Sequence, residues 1–186
     1  FIDYGGNANK SGSLYNGGDL INNGNLALGN AIGGDLYVAG NWTKGAGSNF
    51  YPNSRAVFFN GTTAQTITGA TTFDFLFLNN SAGVTLANAV NVNNLLDFSA
   101  GKLTLGTNNL TIENTATITG ATTAKYVETN STGQLKITVG ASAVLFPVGN
   151  TAYNPITFNN SGTSDIYGVR VVNAAPAGAN AAKTIT

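Results

Sequence analysis

From Leu76 to Thr119 the chain carries a train of short triplets: Leu76-Phe77-Leu78, Val84-Thr85-Leu86, Val90-Asn91-Val92, Leu96-Asp97-Phe98, Leu103-Thr104-Leu105, Leu110-Thr111-Ile112 and Thr117-Ile118-Thr119. Most have apolar flanks and a polar centre. Side chains alternate between the two faces of a strand, so the flanks point one way and the centre the other. Triplet centres advance by roughly six to eight residues, so three of them make about 20 residues, one turn of a three-sided parallel β-helix. Shifts of about 19 to 20 residues then stack Leu86 on Leu105, Val92 on Ile112 and Leu78 on Phe98, with like positions about 4.8 Å apart. The spacing therefore predicts an all-β chain built on a right-handed parallel β-helix over residues 14–124, preceded by an N-terminal segment or cap over 1–13. An antiparallel sandwich shares the alternation, and Asn23-Gly24 and Asn60-Gly61 suit two-residue hairpin turns. The breaks between the seven triplets mostly lack such turns, which favours the helix.

Two internal repeats bear on the coil length. Gly17-Gly18-Asp19-Leu20 recurs as Gly33-Gly34-Asp35-Leu36, a shift of 16, and Thr66-Ile67-Thr68-Gly69-Ala70-Thr71-Thr72 recurs as residues 117–123. After Thr123 the strands lengthen, over 134–139, 143–148, 154–159 and 166–172, and antiparallel pairing suits them better. Residues 125–172 are accordingly expected to form a β-sandwich-like module, with Pro147 and Pro155 at strand ends or edges. The Ala-rich stretch 173–186 reads as a linker that ends in a strand-like Lys183-Thr184-Ile185-Thr186, so the module looks truncated. Its expected cost is exposed apolar surface among Leu145, Phe146, Ile156, Phe158, Val169 and Val171, which invites self-association by strand addition.

Composition narrows the chemistry. Among 186 residues there is no His, Cys or Met, and only 9% are charged, against about 25% in an average soluble domain. Eight basic residues balance eight acidic ones, for a formal net charge of zero, so no basic field is available for nucleic acid or anionic lipid. No apolar run approaches the roughly 18 residues of a membrane span. The chain begins at Phe1 without an initiator Met, as a processed protein or a piece of a longer one would. A chain without Cys or Met suits an extracellular site exposed to oxidants.

Without His or Cys, the carboxylates are the candidate acid–base groups: Asp3, Asp19, Asp35, Asp74, Asp97, Asp165, Glu113 and Glu128. A coil of 16 residues would stack Asp19 on Asp35 at about 5 Å, the separation of an acid pair or of a weak Ca²⁺ site completed by backbone carbonyls. An Asp in a Gly-Gly-Asp turn that bonds its own backbone explains both residues without a ligand, and no catalytic residue is assigned. Tyr37, Trp42, Phe50 and Tyr51 cluster after the second such turn and are the candidate ligand-binding residues, because aromatic faces are what sugar rings stack on. A large aromatic such as Trp42 is more often core, and Phe58, Phe59, Phe73, Phe75 and Phe77 are expected there too. Asn-x-Ser/Thr sequons, among them those beginning at Asn41, Asn60, Asn79, Asn109, Asn130 and Asn159, are expected by chance in a chain so rich in Asn and Thr.

The triplet train, together with Phe146-Pro147-Val148-Gly149-Asn150, Tyr153-Asn154-Pro155-Ile156-Thr157 and Asn159-Asn160-Ser161-Gly162-Thr163, resembles the large repetitive surface proteins and adhesins that Bacteroidetes export by the type IX secretion system. The resemblance covers most of the chain from about Leu36 onward. It implies an extracellular, elongated structural or adhesive module at the bacterial cell surface. Its partners would be the secretion and surface-attachment machinery and the glycans, cells or surfaces it binds, in some cases linked to gliding. A β-helical carbohydrate-active enzyme is the alternative, disfavoured by the scarcity of acids. An ice-binding solenoid needs paired threonines in consecutive turns; the two Thr-Ile-Thr copies lie 51 residues apart, about two and a half turns, so no array is expected.

Overall fold

A computed structural model describes residues 2–4, 7–10, 13–29 and 32–173, the first two stretches by their backbone alone. The strands in chain order are β1 (Ile2–Tyr4), β2 (Asn7–Lys10), β3 (Leu14–Asn16), β4 (Leu20–Asn22), β5 (Asn25–Leu28), β6 (Leu36–Val38), β7 (Trp42–Lys44) and β8 (Asn49–Tyr51). Then follow β9 (Ala56–Phe59), β10 (Gln65–Thr68), β11 (Thr71–Asn79), β12 (Val84–Leu86), β13 (Val90–Ala100), β14 (Leu103–Thr104), β15 (Leu110–Ile112) and β16 (Thr117–Thr119). The last are β17 (Val127–Glu128), β18 (Leu135–Val139), β19 (Val144–Phe146), β20 (Val148–Gly149), β21 (Ile156–Phe158) and β22 (Asp165–Val169). No helix among the described residues is long and apolar enough to cross a membrane.

These strands wind into a parallel β-solenoid of about six turns. Its first face is a sheet in the order β1-β4-β7-β10-β12-β14-β17-β20. The second holds β2-β5-β8, and further on Thr71–Phe73, Val90–Val92, β15 and β18 in register. On the third, β3, β6 and β9 continue into Phe75–Leu78, Leu95–Phe98 and β16. The long strands β11 and β13 each turn the corner between the second and third faces, which is where the ladder between them slips register after Phe73.

The expected stacking is present: Val92 pairs with Ile112 and Leu78 with Phe98, while Leu86 and Leu105 continue the ladder Val84↔Leu103, Thr85↔Thr104. The triplets Val84–Leu86 and Val90–Val92 are not a hairpin; they lie on different faces, each paired in parallel with other coils. Triplet flanks point inward to one continuous core of Leu, Val, Ile and Phe that runs from Leu20 to Val148. Parallel partners lie 18 to 25 positions apart along the chain. Coil length thus varies at the corners, while the three faces keep their width. The Gly-Gly-Asp repeat of 16 is not a coil: Leu14 pairs with Leu36 and Leu20 with Trp42, so Asp19 precedes the first face and Asp35 the third.

Corners explain the Asn-rich composition. Asn41, Asn88 and Asn109 accept from the backbone N–H of Thr66, Gly69 and Gln134, at 2.9, 2.7 and 3.1 Å. Asn22, Asn53 and Asn108 donate to the carbonyls of Asn49, Leu28 and Leu86, at 2.8, 2.7 and 2.9 Å. An amide side chain offers both donor and acceptor, so it can staple one coil to the next wherever the ladder is interrupted. Gly69 and Gly120, at the same place in the repeated heptapeptide, have φ of +86° and +73°. A Cβ there would sit 2.0 Å from the Lys44 carbonyl oxygen and 2.4 Å from that of Phe98. Identical residues thus build the same tight corner twice and then diverge: Thr71–Phe73 extends the second face, whereas Thr122 closes a turn on Lys125.

Parallel pairing continues past residue 124, through β17 and β18 to β20. Between the described strands, antiparallel pairing is confined to β22 on β18, at the end of the nine-stranded sheet, and to the two-stranded sheet of β19 and β21. Of the apolar positions expected to be exposed there, Leu145 and Ile156 are, at 48% and 47%. Phe146 is buried and stacks on Phe158 at 5.2 Å. The expected linker lies outside the described residues beyond Asn173.

Candidate functional site

The third face carries an aromatic ladder on its outer side. Register places Tyr15, Tyr37, Phe58 and Phe77 in one column. Their rings stack at centroid distances of 4.5, 4.4 and 4.5 Å, with interplanar angles of 11°, 5° and 22°. The ring faces cover one another, so the ladder shows solvent a ridge of ring edges, with the two phenol groups at one end. Tyr15 is the most open member, 70% exposed. Beside the ridge a second outward column holds Ala56, Phe75 and Leu95. Beyond Phe77 the ridge ends at Asp97, whose carboxylate accepts from Ser99 Oγ at 2.6 Å and Thr119 Oγ1 at 2.7 Å.

Of the four candidate aromatics, only Tyr37 joins this ridge. Trp42 is a core residue, not a ligand platform: it is fully buried, edge-on to Phe50 at 4.9 Å and Phe73 at 5.3 Å, and its Nε1 donates to Thr71 Oγ1 at 3.1 Å. Phe50 packs against the core from the second face, and Tyr51 points out from that face, half-exposed. Neighbours in sequence are thus dealt to three different faces and form no common site. Phe58, Phe75 and Phe77, expected in the core, are half-buried on the outside, while Phe59 and Phe73 are inside. The aromatic column was readable in the sequence as Tyr, Tyr, Phe, Phe at intervals close to one coil.

Most carboxylates of the described residues are engaged in structure. Asp19 accepts from the Asn41 N–H at 2.7 Å and Asp35 from the Ala56 N–H at 2.9 Å, each reaching the following coil at a different corner. They are therefore neither an acid pair nor a shared Ca²⁺ site. Asp74 accepts from the Ser54 N–H and from Asn93, at 2.7 and 2.8 Å, which holds Asn53 and Ser54 in left-handed conformation. Glu128 accepts from Lys102 Nζ at 3.0 Å and Thr104 Oγ1 at 2.9 Å. No group of three or more acidic side chains that could hold a metal occurs among the described residues. An open groove of about 370 Å³ between β16 and β19 is lined by Ile118, Ala121, Ile137, Val144, Leu145 and Pro147, none of which can exchange a proton.

The first face has its own outward column. Thr66, Thr85 and Thr104 stack in three consecutive coils, and Thr43 stacks on Thr68 beside them. The two Thr-Ile-Thr copies do not stack, since they lie on different faces, but the expectation of no array is not met: a threonine column forms through Thr66 of the first copy alone. It arises because consecutive triplets Val84-Thr85-Leu86 and Leu103-Thr104-Leu105 carry Thr at their centres, a pattern distinct from Thr-Ile-Thr.

Two groups are held protonated beyond their ordinary range. Burial above all, then the neighbouring Tyr15 and Asp35, raises the pKa of Tyr37. Contact with Tyr126 first and Glu128 second raises that of Lys102, whose Nζ lies 4.7 Å from the Tyr126 ring centroid. In both cases the folded state keeps its proton to higher pH than the unfolded chain. Their contribution is therefore full below the unfolded values near pH 10 and is lost as pH rises through the folded ones. Thermal midpoints are expected to fall above about pH 10, and less steeply in Tyr37→Phe; identical slopes would exclude Tyr37 as a source.

Comparison with known proteins finds no matching family model, no matching curated protein and no matching solved structure. What fold and surface define is a class: a β-solenoid with an outward aromatic ridge.

Proposed function

We propose that this protein is a non-catalytic structural and adhesive module of a large secreted bacterial cell-surface protein, binding surfaces, cells or glycans outside the cell. The proposal extends the resemblance to the repetitive type IX-exported adhesins of the Bacteroidetes, with the export and attachment machinery as partners. It includes a right-handed coil, the usual hand where parallel strands of one sheet are joined by crossovers, and a sandwich-like module to which the C-terminal antiparallel strands belong.

One observation carries the reading: the ridge Tyr15–Tyr37–Phe58–Phe77 puts four rings on the outside of a sheet whose other side already packs the core. Aromatic surface of this kind is a binding resource. The test is retention of the purified protein on immobilised glycans, apolar beads and intact bacterial cells. The variant Tyr15→Ser/Tyr37→Ser/Phe58→Ser is expected to lose binding by about tenfold or more, whereas Tyr51→Ser on another face retains it. Unchanged retention in the ridge variant, or release of soluble sugar by the wild type, would overturn the reading.

The threonine column favours a second reading, an ice-binding face. Thr85→Tyr would then abolish thermal hysteresis and leave ridge-dependent retention intact; a wild type without thermal hysteresis ends this reading alone.

A further inference from the structure

The third face stops short of the other two. The first continues through β14, β17 and β20 and the second through β15, β18 and β22, whereas β16, on the third, pairs with β13 and, among the described residues, with no strand on its other side. The next strand after β18, β19, pairs with β21 instead. The groove of about 370 Å³ lies between β16 and β19, and the core residues Ile112 and Ile137 are part of its lining. It interrupts an inward column: register joins Leu36, Val57, Leu76, Leu96 and Ile118 in successive coils. Leu36 to Leu96 are fully buried in that column, and Ile118 only partly. The ladder lacks one more strand, with an apolar residue at its centre and polar ones on either side.

Sequence selects the occupant. Thr-Ile-Thr occurs again as Thr184-Ile185-Thr186, outside the described residues, and repeats the strand whose edge is open, Thr117-Ile118-Thr119. Laid parallel to β16 in register, it sets Ile185 on Ile118 as the next member of the inward column. Thr184 and Thr186 then fall on Thr117 and Thr119, both exposed on the outer side. Direction and length agree with this placement. β22 runs back along β18 until Val169 lies opposite Leu135, and the Val171 N–H donates to Thr129 Oγ1 at 2.8 Å. The tail therefore starts from the end of the second face at which β18 begins. Residues 174–183 extend to about 33 Å, against roughly 17 Å for the length of β18, so they can recross the second face and enter the third in the direction of β16. A segment tethered this closely has an effective concentration in the millimolar range, which favours it over the same segment of a second copy.

We propose that residues 184–186 complete the third face as a strand inserted between β16 and β19, so that the groove receives the chain's own tail. This does not depend on what the aromatic ridge binds, and surface retention is not its readout. The test uses the full chain, which has no Cys, so that introduced thiols are the only ones. Under mild oxidation Thr117→Cys/Thr184→Cys is expected to form an intramolecular disulfide about tenfold faster than Thr85→Cys/Thr184→Cys, which sets one thiol on the first face. Ile185→Asp is expected to speed amide exchange in β16 by about tenfold or more, with Ile185→Val close to wild type. A first pair that cross-links no faster than the second, a disulfide-linked dimer in its place, or β16 amides unmoved by Ile185→Asp would each overturn the proposal.

Discussion

Trp42→Ala is expected to destabilise the protein by about 3–5 kcal/mol, the range for emptying a large aromatic site in a packed core. Trp42 is fully buried where three faces meet: it belongs to the first, touches Phe50 of the second, and meets Phe73, which also contacts Phe59 of the third. Truncation would leave a void and remove the indole N–H bond that Thr71 Oγ1 accepts, leaving that hydroxyl only its own bond to the Gly69 carbonyl. Trp42→Phe keeps most of the apolar contact and should cost about 1–2 kcal/mol, chiefly the lost hydrogen bond and reduced volume. Coils contact only their neighbours, so the loss should fall on the N-terminal half and show as amide exchange there before β15 and β18 are affected. Urea denaturation followed by circular dichroism measures it. A midpoint unchanged by Trp42→Ala would mean that the residue is not in the core.

Gln65→Ala is expected to cost about 3–5 kcal/mol for a different reason, the orphaning of buried polar groups. Gln65 is an inward-facing residue of β10, almost fully buried. Its amide nitrogen donates to the Val38 carbonyl at 2.9 Å and to that of Gly40, while its oxygen accepts from the Gly61 N–H at 3.0 Å and from Asn80 Nδ2 at 2.9 Å. Asn80 in turn donates to the Thr63 carbonyl and accepts from the Ala82 N–H. Gln65→Leu fills the space but leaves the same groups unpaired, so it should not rescue. A double-mutant cycle with Asn80→Ala is expected to show about 1–2 kcal/mol of coupling; additive losses would mean that the two side chains act independently.

The parallel coil was legible because period-two alternation and a repeat near 20 residues agree over the triplets from Leu76 to Ile112, where coils are 19 or 20 residues long. Elsewhere corners add residues, and the repeat distance stops reporting coil length. Gly-Gly-Asp recurs because two corners use the same turn chemistry, and Asp19 and Asp35 serve different coils through the Asn41 and Ala56 amides. The ligand candidates form no common site for the same reason: Tyr37, Trp42 and Tyr51 are close in sequence, but each sits on its own face. Side chains become neighbours here one coil apart, so a site is found by aligning the chain to its coils. Aligned in that way, Tyr15, Tyr37, Phe58 and Phe77 fall into one column. The Gln65–Asn80 network had no such signal, since a buried glutamine depends on carbonyls that only the folded corner turns inward.

The direction of the backbone hydrogen bonds has a mechanical corollary. In a solenoid they lie along the long axis, from Leu14–Asn16 through successive coils to the C-terminal strands, with asparagine staples at the corners. Tension applied end to end pulls each rung apart in line with its bonds, so rungs yield in sequence from whichever end is loaded. Each rung released adds some 20 residues of slack before the next bears load. A tether built this way lengthens in steps under drag, and re-forms by stacking each freed coil on the intact one beside it.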